Sequence, residues 1–335
     1  MTIPATHPPV PPLSPIAELL GRLSLAPRQM HKALTLWPLV LREEAPTPGA
    51  PDYVPLSRAL DDGSVQVDEL DERGSVPLVR VTNRGVHGVL LLFGEEIRGA
   101  KQNRITNASF LVPARSELVI DVSCVEQGRW GRRGRVGFAG AREVVSQRMR
   151  KKMAYRVARS RRRGGRFEAD QQEVWQDIGE RLAHAHTESA TDSYEDYVRS
   201  RRADLSDLLA GFRPLERQVG FLAASGDTIV GLEAIGRAEV FADQFEGLLR
   251  SYAVDAIDPA PGERGQARPE FGSDSPEAFL TALGRASVLR GPSLGLGDDL
   301  RIEGEGVAGC ALVMGQVIHL TAFPAPAAPE APGEG

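Results

Sequence analysis

The apolar residues between positions 65 and 125 follow the spacing of short β-strands. Runs rich in Val, Leu and Ile alternate with Gly, Asn, Pro and Asp, and no helix-length segment separates them. Such closely spaced strands favour antiparallel pairing in a sandwich-like or barrel-like sheet over β-α-β winding. The strands predicted here are residues 65–70, 76–81, 86–93, 97–99, 109–113 and 117–125, preceded by a helix at 16–25, a strand at 33–41 and a helical turn at 56–60.

The period of the apolar residues becomes helical in the middle of the chain. Val145, Met149, Met153 and Val157 recur every four residues, which predicts a helix over residues 141–161. Ser193 is a suitable N-cap, and an apolar stripe at helical spacing follows it. The other helices predicted in this region are residues 169–185 and 193–210.

The last third of the chain returns to mixed structure. Two apolar runs flank the turn Ser225-Gly226-Asp227, which predicts a β-hairpin. A Ser at position 275 is a suitable N-cap for the helix that follows it. The predicted elements are hairpin strands at 219–223 and 228–232, helices at 240–256 and 276–286, and closing strands at 299–302, 307–313 and 317–323.

Together these elements predict an α+β fold. An N-terminal antiparallel, β-rich, sandwich-like part is followed by a helical middle segment and a smaller mixed α/β C-terminal part. The predicted boundaries are a flexible Pro-rich tail at 1–14, the β-rich part with the candidate site at 15–136, the helical segment with a basic helix at 137–213, the mixed part at 214–324 and a flexible tail at 325–335.

Composition narrows the class of protein further. The 335 residues are 41% hydrophobic and 25% charged, which is ordinary for a globular chain. No apolar run approaches the roughly 20 residues that span a bilayer, and the N-terminus does not have the form of a secretory signal. Two cysteines, Cys124 and Cys310, are expected to stay reduced in the cytoplasm. Scattered histidines, with no HExxH or CxxC pattern, predict no structural zinc and no metal site, and the sequence leaves the cofactor unknown.

Charge is distributed unevenly along the chain. The segment from Arg129 to Arg166 holds fifteen Lys or Arg and a single acid, Glu143, so its net charge is +14. Because the whole chain carries −5, the remainder carries −19. A basic helix in this segment can bind nucleic-acid phosphates, or it can balance the acidic remainder or an acidic partner.

The first candidate site segment is a polar run that follows the apolar residues 89–93. Glu95 and Glu96 point to opposite faces if the strand continues. A carboxyl near a cation would be ionised and suit contact with a metal or sugar hydroxyl, whereas an isolated one would hold a raised pKa and suit proton transfer. Lys101, Gln102 and Arg104 offer donors for a phosphate, carboxylate or carbonyl.

A second polar run follows the apolar residues 118–122. Cys124 becomes a nucleophile only if a nearby cation or histidine lowers its pKa, and otherwise it is a small buried hydrophobe. Glu126 and Gln127 are candidate hydrogen-bonding ligands, joined by Arg129. Trp130 can stack on a planar ring or anchor the core. Since both runs follow strands, we expect them to share one rim of the sheet.

The segment from Gly94 to Trp130, GEEIRGAKQNRITNASFLVPARSELVIDVSCVEQGRW, resembles the core of the ADP-ribosylglycohydrolase- and rhodanese-phosphatase-associated protein domain family. The resemblance extends over roughly residues 30–324 and implies one long family unit. It also implies, through genomic association, a link to NAD and ADP-ribose metabolism, but it supplies no catalytic assignment. The residues that match the family's polar signature are Glu95, Lys101, Gln102, Arg104, Cys124, Glu126 and Gln127.

The leading hypothesis is a ligand-binding protein or enzyme that acts on an NAD- or ADP-ribose-derived nucleotide at residues 95–104 and 123–130. Arg104 and Lys101 would hold phosphate, with Arg129 as a further ligand-binding residue. Ribose contact or acid/base catalysis would fall to Glu95 or Glu126, and Trp130 would flank a ring.

Two rival hypotheses remain open on the sequence. One is a non-enzymatic module that binds nucleic acid or a protein partner through the basic helix at 142–166. The other is a structural scaffold in which both polar runs are internal salt-bridge networks. The residues that would carry the first rival are Arg148, Lys151, Lys152, Arg156, Arg161, Arg162 and Arg163.

Overall fold

A computed structural model describes residues 14–42, 52–70, 77–99, 101–129, 138–259 and 275–325. Within these ranges the chain forms eight helices and eighteen strands, and the predicted α+β class is confirmed. The predicted tails lie almost entirely outside the described residues, as does Trp130. The helices are α1 (Pro15–Arg22), α2 (Leu56–Asp61), α3 (Gln147–Arg162), α4 (Gln171–His184), α5 (Tyr194–Ser200), α6 (Arg202–Leu209), α7 (Ala238–Ile257) and α8 (Pro276–Arg285).

The strands fall into three sheets. The first nine of them are β1 (Leu23–Leu25), β2 (Gln29–His31), β3 (Leu34–Leu41), β4 (Tyr53–Pro55), β5 (Val65–Glu69), β6 (Leu78–Asn83), β7 (Gly88–Leu91), β8 (Glu95–Gly99) and β9 (Arg104–Thr106). The remaining strands are β10 (Phe110–Val112), β11 (Ser116–Cys124), β12 (Phe138–Val144), β13 (Gln218–Ser225), β14 (Thr228–Ile235), β15 (Ser287–Pro292), β16 (Asp298–Gly304), β17 (Val307–Met314) and β18 (Gln316–Pro324).

A nine-stranded antiparallel sheet joins the two ends of the described chain. Its order is β1-β3-β13-β14-β18-β17-β16-β15, with β2 paired to β3. Side chains alternate between its two faces, because successive residues of a strand point in opposite directions. Phe221 accordingly packs in the core beneath α3 to α7, and its neighbour Leu222 packs in the core beneath α1 and α8. The N-terminal β3 pairs with β13, so this sheet crosses the predicted boundaries at 136 and 213.

Two smaller sheets form the sandwich-like part. The three-stranded sheet has the order β10-β7-β4, and the six-stranded sheet has the order β12-β8-β9-β11-β6-β5. Val89 and Phe110 from the first share a core with Val81 and Val122 from the second. The pairing of β4 with β7 is parallel, and every other described strand pair is antiparallel. The β8–β9 hairpin carries the first polar run into this part of the molecule.

Three helix predictions are wrong at their boundaries. The predicted helix over 141–161 begins only at Gln147, because residues up to Val144 pair with β8 and the Ser146 hydroxyl caps the helix by accepting from the amide of Met149. The predicted helix over 193–210 is two helices that meet at Arg201. Residues 23–25 of the predicted first helix instead pair with β3. Six strands are additional to the predicted set: β1, β2, β4, β9, β12 and β15.

A buried polar network ties the layers together. The Arg150 guanidinium lies 2.6 Å from the Glu233 carboxylate, and the Tyr252 hydroxyl donates to the same carboxylate at 2.7 Å. Gly94 has a φ of +79°, and a Cβ there would lie 2.5 Å from the Arg150 side chain. The glycine is therefore required both for its backbone conformation and for the close approach of α3 to the start of β8.

Candidate functional site

The two polar runs meet in space. Strand β9 pairs with β11, which places Arg104 opposite Cys124. The Gln102 side chain donates to the backbone carbonyl of Glu126 at 2.8 Å, and the backbone amide of Asn103 donates to the Glu126 carboxylate at 3.2 Å. The pairing of β9 with β11 thus brings the two runs close together, as expected from the sequence.

This meeting point is interior. Seven residues of the two runs are each less than 5% exposed, and we call them the buried polar cluster: Glu95, Glu96, Gln102, Asn103, Arg104, Cys124 and Glu126. Lys101 and Arg129 are partly exposed, and Gln127 is exposed. Direct contact between a ligand in solvent and the seven buried side chains is therefore not available in this conformation, which revises the direct-contact roles predicted for Glu95, Arg104 and Glu126.

Glu126 is held as an ion by its neighbours. Burial alone would raise its pKa, but the Arg129 guanidinium at 2.6 Å and the Thr191 hydroxyl at 3.0 Å bring the pKa of Glu126 below its ordinary value. Glu126 therefore anchors the second run to the first and to the segment before α5. Its carboxylate is occupied by these bonds.

Glu95 lies in the opposite kind of environment. Burial raises the pKa of Glu95 to about 8, offset only in part by the hydrogen bond that it accepts from the Leu92 amide at 2.9 Å. Its other carboxyl oxygen has no hydrogen-bond partner among the described residues. Glu95 is therefore mainly protonated at neutral pH, as expected of a carboxyl isolated in an apolar pocket.

Arg104 and Cys124 form the deepest part of the cluster. The Arg104 side chain is fully buried, donates to Gln102 at 3.1 Å and lies 3.6 Å from the Glu69 carboxylate. Burial raises the pKa of Cys124 even though Arg104 opposes this effect. The thiol is therefore the stable form, which argues against the predicted nucleophile because the thiolate is the reactive species.

Glu96 connects the buried polar cluster to the surface through Arg98. The Arg98 guanidinium forms two hydrogen bonds with Glu96, at 2.9 and 3.0 Å, and lies 3.7 Å from Glu195 on α5. Asn103 donates to both carboxylates, at 3.4 Å to Glu96 and 3.2 Å to Glu195. Arg98 is 29% exposed in its side chain, so it is the point where the cluster reaches solvent.

A cleft of about 770 Å³ opens at this point. Its walls come from α5, α6 and α7 and from the edges of β8 and β12, and Arg98 and Glu195 belong both to the cleft and to the network around Glu96. The apolar side chains that line it are Val198, Leu205, Leu209, Ala210, Phe212, Pro214, Phe245 and Leu249. The remaining charged side chains that line it are Glu143, Arg199, Arg202, Arg213, Glu246 and Arg250.

Two of these arginines have no counterion among the residues that the structure describes. Arg202 and Arg213 are exposed, and no described residue forms an ion pair or hydrogen bond with either guanidinium. Arg199, by contrast, pairs with Glu195 at 3.0 Å and with Asp196 at 3.1 Å. Arg202 and Arg213 thus leave two positive charges available in a cleft lined by both charged and apolar side chains.

Glu143 lies on the cleft wall and was not among the residues predicted from sequence. A Cβ on Gly247 of α7 would lie 2.6 Å from the backbone oxygen of Arg142, so only glycine lets β12 approach α7 this closely. This approach sets the Glu143 carboxylate 2.6 Å from the Arg250 guanidinium. Burial raises the pKa of Glu143 to about 7, although Arg250 and Arg98 act in the opposite direction.

Five cleft residues were not predicted from the sequence because they belong to five separate segments: Glu143, Glu195, Arg202, Arg213 and Arg250. One signal was present, since Glu143 is the single acid among fifteen basic residues. An acid retained in such a segment is a candidate for a specific pairing role. No comparable feature of the sequence distinguishes Arg202 on α6 or Arg250 on α7 as cleft residues.

The basic segment is largely paired with acids of the same chain. Lys152 lies 2.8 Å from Asp177, Arg156 lies 2.9 Å from Glu173, and Arg162 pairs with Glu303. Arg148 pairs with Asp255 at 3.2 Å, and the Arg161 guanidinium lies 4.3 Å from the centre of the Phe167 ring. Lys151 also has a partner, while Arg163 is exposed.

Neither a metal cluster nor a membrane helix is found in the described ranges. No group of three or more His, Cys, Asp or Glu side chains there is arranged to hold a metal ion. None of the helices among those residues is long and apolar enough to cross a bilayer.

The fold and the cleft define a mixed α+β protein whose arginine-bearing cleft adjoins a buried polar cluster. A family model described as the ARG and Rhodanese-Phosphatase-superfamily-associated Protein domain, ARPP-1, matches residues 22–323. The chain belongs to this family, and the resemblance predicted from sequence is confirmed. No protein of curated description and no solved structure matches the chain.

Proposed function

We propose that the cleft binds an NAD- or ADP-ribose-derived nucleotide. The observation that carries this proposal is the presence of two exposed guanidinium groups in the lining of the cleft, Arg202 and Arg213, neither of which is paired with a described residue. Guanidinium groups bind phosphate oxygens in a planar, two-pronged arrangement, so either of these groups can hold a phosphate of a pyrophosphate. The volume of about 770 Å³ lies in the usual range for small-molecule sites.

The other cleft residues suit the uncharged parts of such a ligand. Phe212 and Phe245 offer apolar and aromatic surface for a base. The carboxylate of Glu195 is a hydrogen-bond acceptor for ribose hydroxyls. A nucleotide would thus place its polar ends on charged groups and its ring on the apolar wall.

In this proposal, the buried polar cluster supports the cleft from behind. The bonds between Glu96 and Arg98 fix the guanidinium that faces the cleft, and Asn103 holds Glu195 in the same network. Residues that orient a binding group in this way are required for precise contact with a ligand even though they do not touch it. The predicted rim at 95–104 and 123–130 therefore keeps a role, but an indirect one.

The family description supports the choice of ligand. It links the domain with ARG proteins, which we take to be ADP-ribosylglycohydrolases, and with the rhodanese-phosphatase superfamily. Association with enzymes of ADP-ribose chemistry favours a ligand of that kind over other phosphate-bearing molecules. This support is an analogy, and the location of the site rests on the geometry of the cleft.

The test is calorimetric titration of the protein with ADP-ribose and with NAD. We expect at least one of them to bind, and the Arg202→Ala/Arg213→Ala double variant to bind it at least about tenfold more weakly, because a hydrogen bond to a charged group contributes roughly 1.5–3 kcal/mol. Arg285→Ala is the matched control, since Arg285 is exposed on α8 and does not line the cleft. Equal affinity in the double variant and the wild type would overturn the proposal.

A further inference from the structure

Glu143 is placed to respond to any anion that enters the cleft. Its carboxylate accepts a hydrogen bond from the Arg250 guanidinium at 2.6 Å, and both side chains line the cleft. The Glu143 side chain is only 11% exposed, whereas Glu246, which also pairs with Arg250, is 71% exposed in its side chain. Arg250 thus has one sheltered and one solvated counterion.

Charged and titratable groups surround Glu143 from three elements. Arg98 on β8 and Arg250 on α7 stabilise its ionised form, and Glu96 on β8 opposes ionisation. The groups that face this part of the cleft are Arg98 and Glu96 from β8, Arg250 and Glu246 from α7, and Tyr194 and Glu195 from α5. Burial therefore favours the protonated form of Glu143, and the two guanidinium groups favour its ionised form.

We propose that Glu143 takes up a proton when an anionic ligand docks on Arg250 and Arg98. The proposal rests on the proposed function of the cleft. One phosphate of the pyrophosphate binds Arg202 or Arg213, and oxygens of the other replace the Glu143 carboxylate as the partner of Arg250. The carboxylate, having lost this hydrogen bond, takes a proton from water or buffer. No covalent bond to the ligand forms or breaks. Protonation of Glu143 thus accompanies the binding of an anion in the cleft.

The sign of the pH dependence follows from this exchange. Burial raises the pKa of Glu143 to about 7 in the free protein, so well below pH 7 the carboxyl is already protonated and affinity does not change with pH. Above pH 7 the free protein must gain a proton to bind. Affinity for the anion then falls as pH rises, by at most about tenfold per pH unit for one proton.

The test is calorimetric titration with ADP-ribose at pH 7.5 in two buffers that differ in ionisation enthalpy. ADP-ribose suits the experiment because its pyrophosphate diester lacks the second ionisation, near pH 6, of a phosphate monoester. We expect the wild type to take up about half a proton or more on binding. Glu143→Gln should take up essentially none, and its affinity should not change between pH 6 and 8.5.

Two control variants separate Glu143 from its neighbours. Glu246→Gln removes the exposed counterion of the same Arg250 and should keep the proton uptake. His31→Gln should also keep it, since His31 packs against Phe212 at another part of the cleft. Proton uptake that persists in Glu143→Gln, or binding without any proton uptake in the wild type, overturns the inference and leaves the proposed function standing. Absence of ADP-ribose and NAD binding at every pH overturns the proposed function, and this inference with it.

Discussion

Glu95 and Glu126 belong to the same buried polar cluster but have opposite electrostatic surroundings. The Glu126 carboxylate is paired with Arg129 and accepts from Thr191, which keeps its pKa low. Glu95 has only the Leu92 amide as a hydrogen-bond donor to its carboxyl, and burial raises its pKa to about 8. At this scale, two carboxyls of similar exposure are distinguished by their partners rather than by their depth.

Glu95→Gln should therefore be tolerated at pH 6 and should remove a pH dependence that the wild type has. The folded-state pKa of Glu95 lies above its unfolded value, so the folded state holds a proton that the unfolded state has lost between about pH 4.5 and 8. Stability of the wild type consequently falls across this window, at up to about 1.4 kcal/mol per pH unit from this group. Urea denaturation of both proteins at pH 6 and 8 measures the difference.

Glu126→Gln is the matched control, because it removes an ionised, paired carboxyl from the same cluster. We expect it to destabilise the fold at both pH values, since Arg129 is left without the charge that it faces. A Glu95→Gln variant that loses as much stability as Glu126→Gln at pH 6 would contradict the protonation state assigned to Glu95.

The sequence was sufficient to predict the chemistry of these residues and their proximity, but not their exposure. The local sequence Gly94-Glu95-Glu96 after an apolar strand does not indicate whether the strand ends at the surface or inside the protein. What buries them is the packing of α3 and α5 over the β8–β9 hairpin, which depends on contacts such as Asn103 to Glu195 that are distant in sequence. The hypothesis of an internal salt-bridge network fits the pairs of Glu96 with Arg98 and of Glu126 with Arg129, but not Glu95, which has no ion pair with a described residue.

At the scale of elements, α3 is a basic helix whose charges mostly face acids of its own chain. Lys152, Arg156 and Arg162 pair with acids on α4 and β16, and Arg148 pairs with an acid on α7. The positive segment therefore neutralises part of the acidic remainder of the chain. Cations that are already paired are poorly available to nucleic-acid phosphates.

Nucleic-acid binding by this segment should accordingly be weak and only mildly dependent on salt. If all seven predicted residues met phosphates, the slope of log affinity against log salt concentration would approach about −6 on duplex DNA. With most of them paired internally, we expect a slope no steeper than about −2 to −3, measured by fluorescence anisotropy between 50 and 200 mM salt. A steep slope that collapses in Arg161→Ala/Arg162→Ala/Arg163→Ala would favour the rival function.

The start of α3 shows how far periodicity alone can place an element. Met149, Met153 and Val157 do form a buried helical stripe, as their spacing predicts. Val145 satisfies the same spacing but lies before the helix, at the end of a segment that pairs with β8, and its backbone amide donates to the Gly94 carbonyl. A local pattern does not contain that competing partner, and the boundary was misplaced for this reason.

At the scale of the whole molecule, the N- and C-terminal strands belong to one sheet. The pairing of Leu34 with Ser225 and of Ile235 with His319 joins segments that no local pattern relates. Short antiparallel strands were predictable from their alternation and their turns, but the order of strands in the sheet was not. The family match over residues 22–323 agrees with this continuity.

The cleft is likewise a property of the whole molecule. Arg98, Glu143, Arg202, Arg213 and Arg250 are brought together by five separate segments, and no window of sequence contains them. The buried polar cluster and the cleft share Arg98 and Glu195 at their boundary. The family's polar sequence signature therefore lies mainly in the protein interior, whereas the surface proposed to contact the ligand is the cleft beside it.

A crystal structure of the protein with bound ADP-ribose would test this separation most directly. The account predicts the nucleotide in the cleft, with its pyrophosphate within hydrogen-bond distance of Arg202 or Arg213 and with the side chains of the buried polar cluster unmoved. Density for the nucleotide against α3, or inside an opened cluster in direct contact with Arg104 and Glu126, would contradict it.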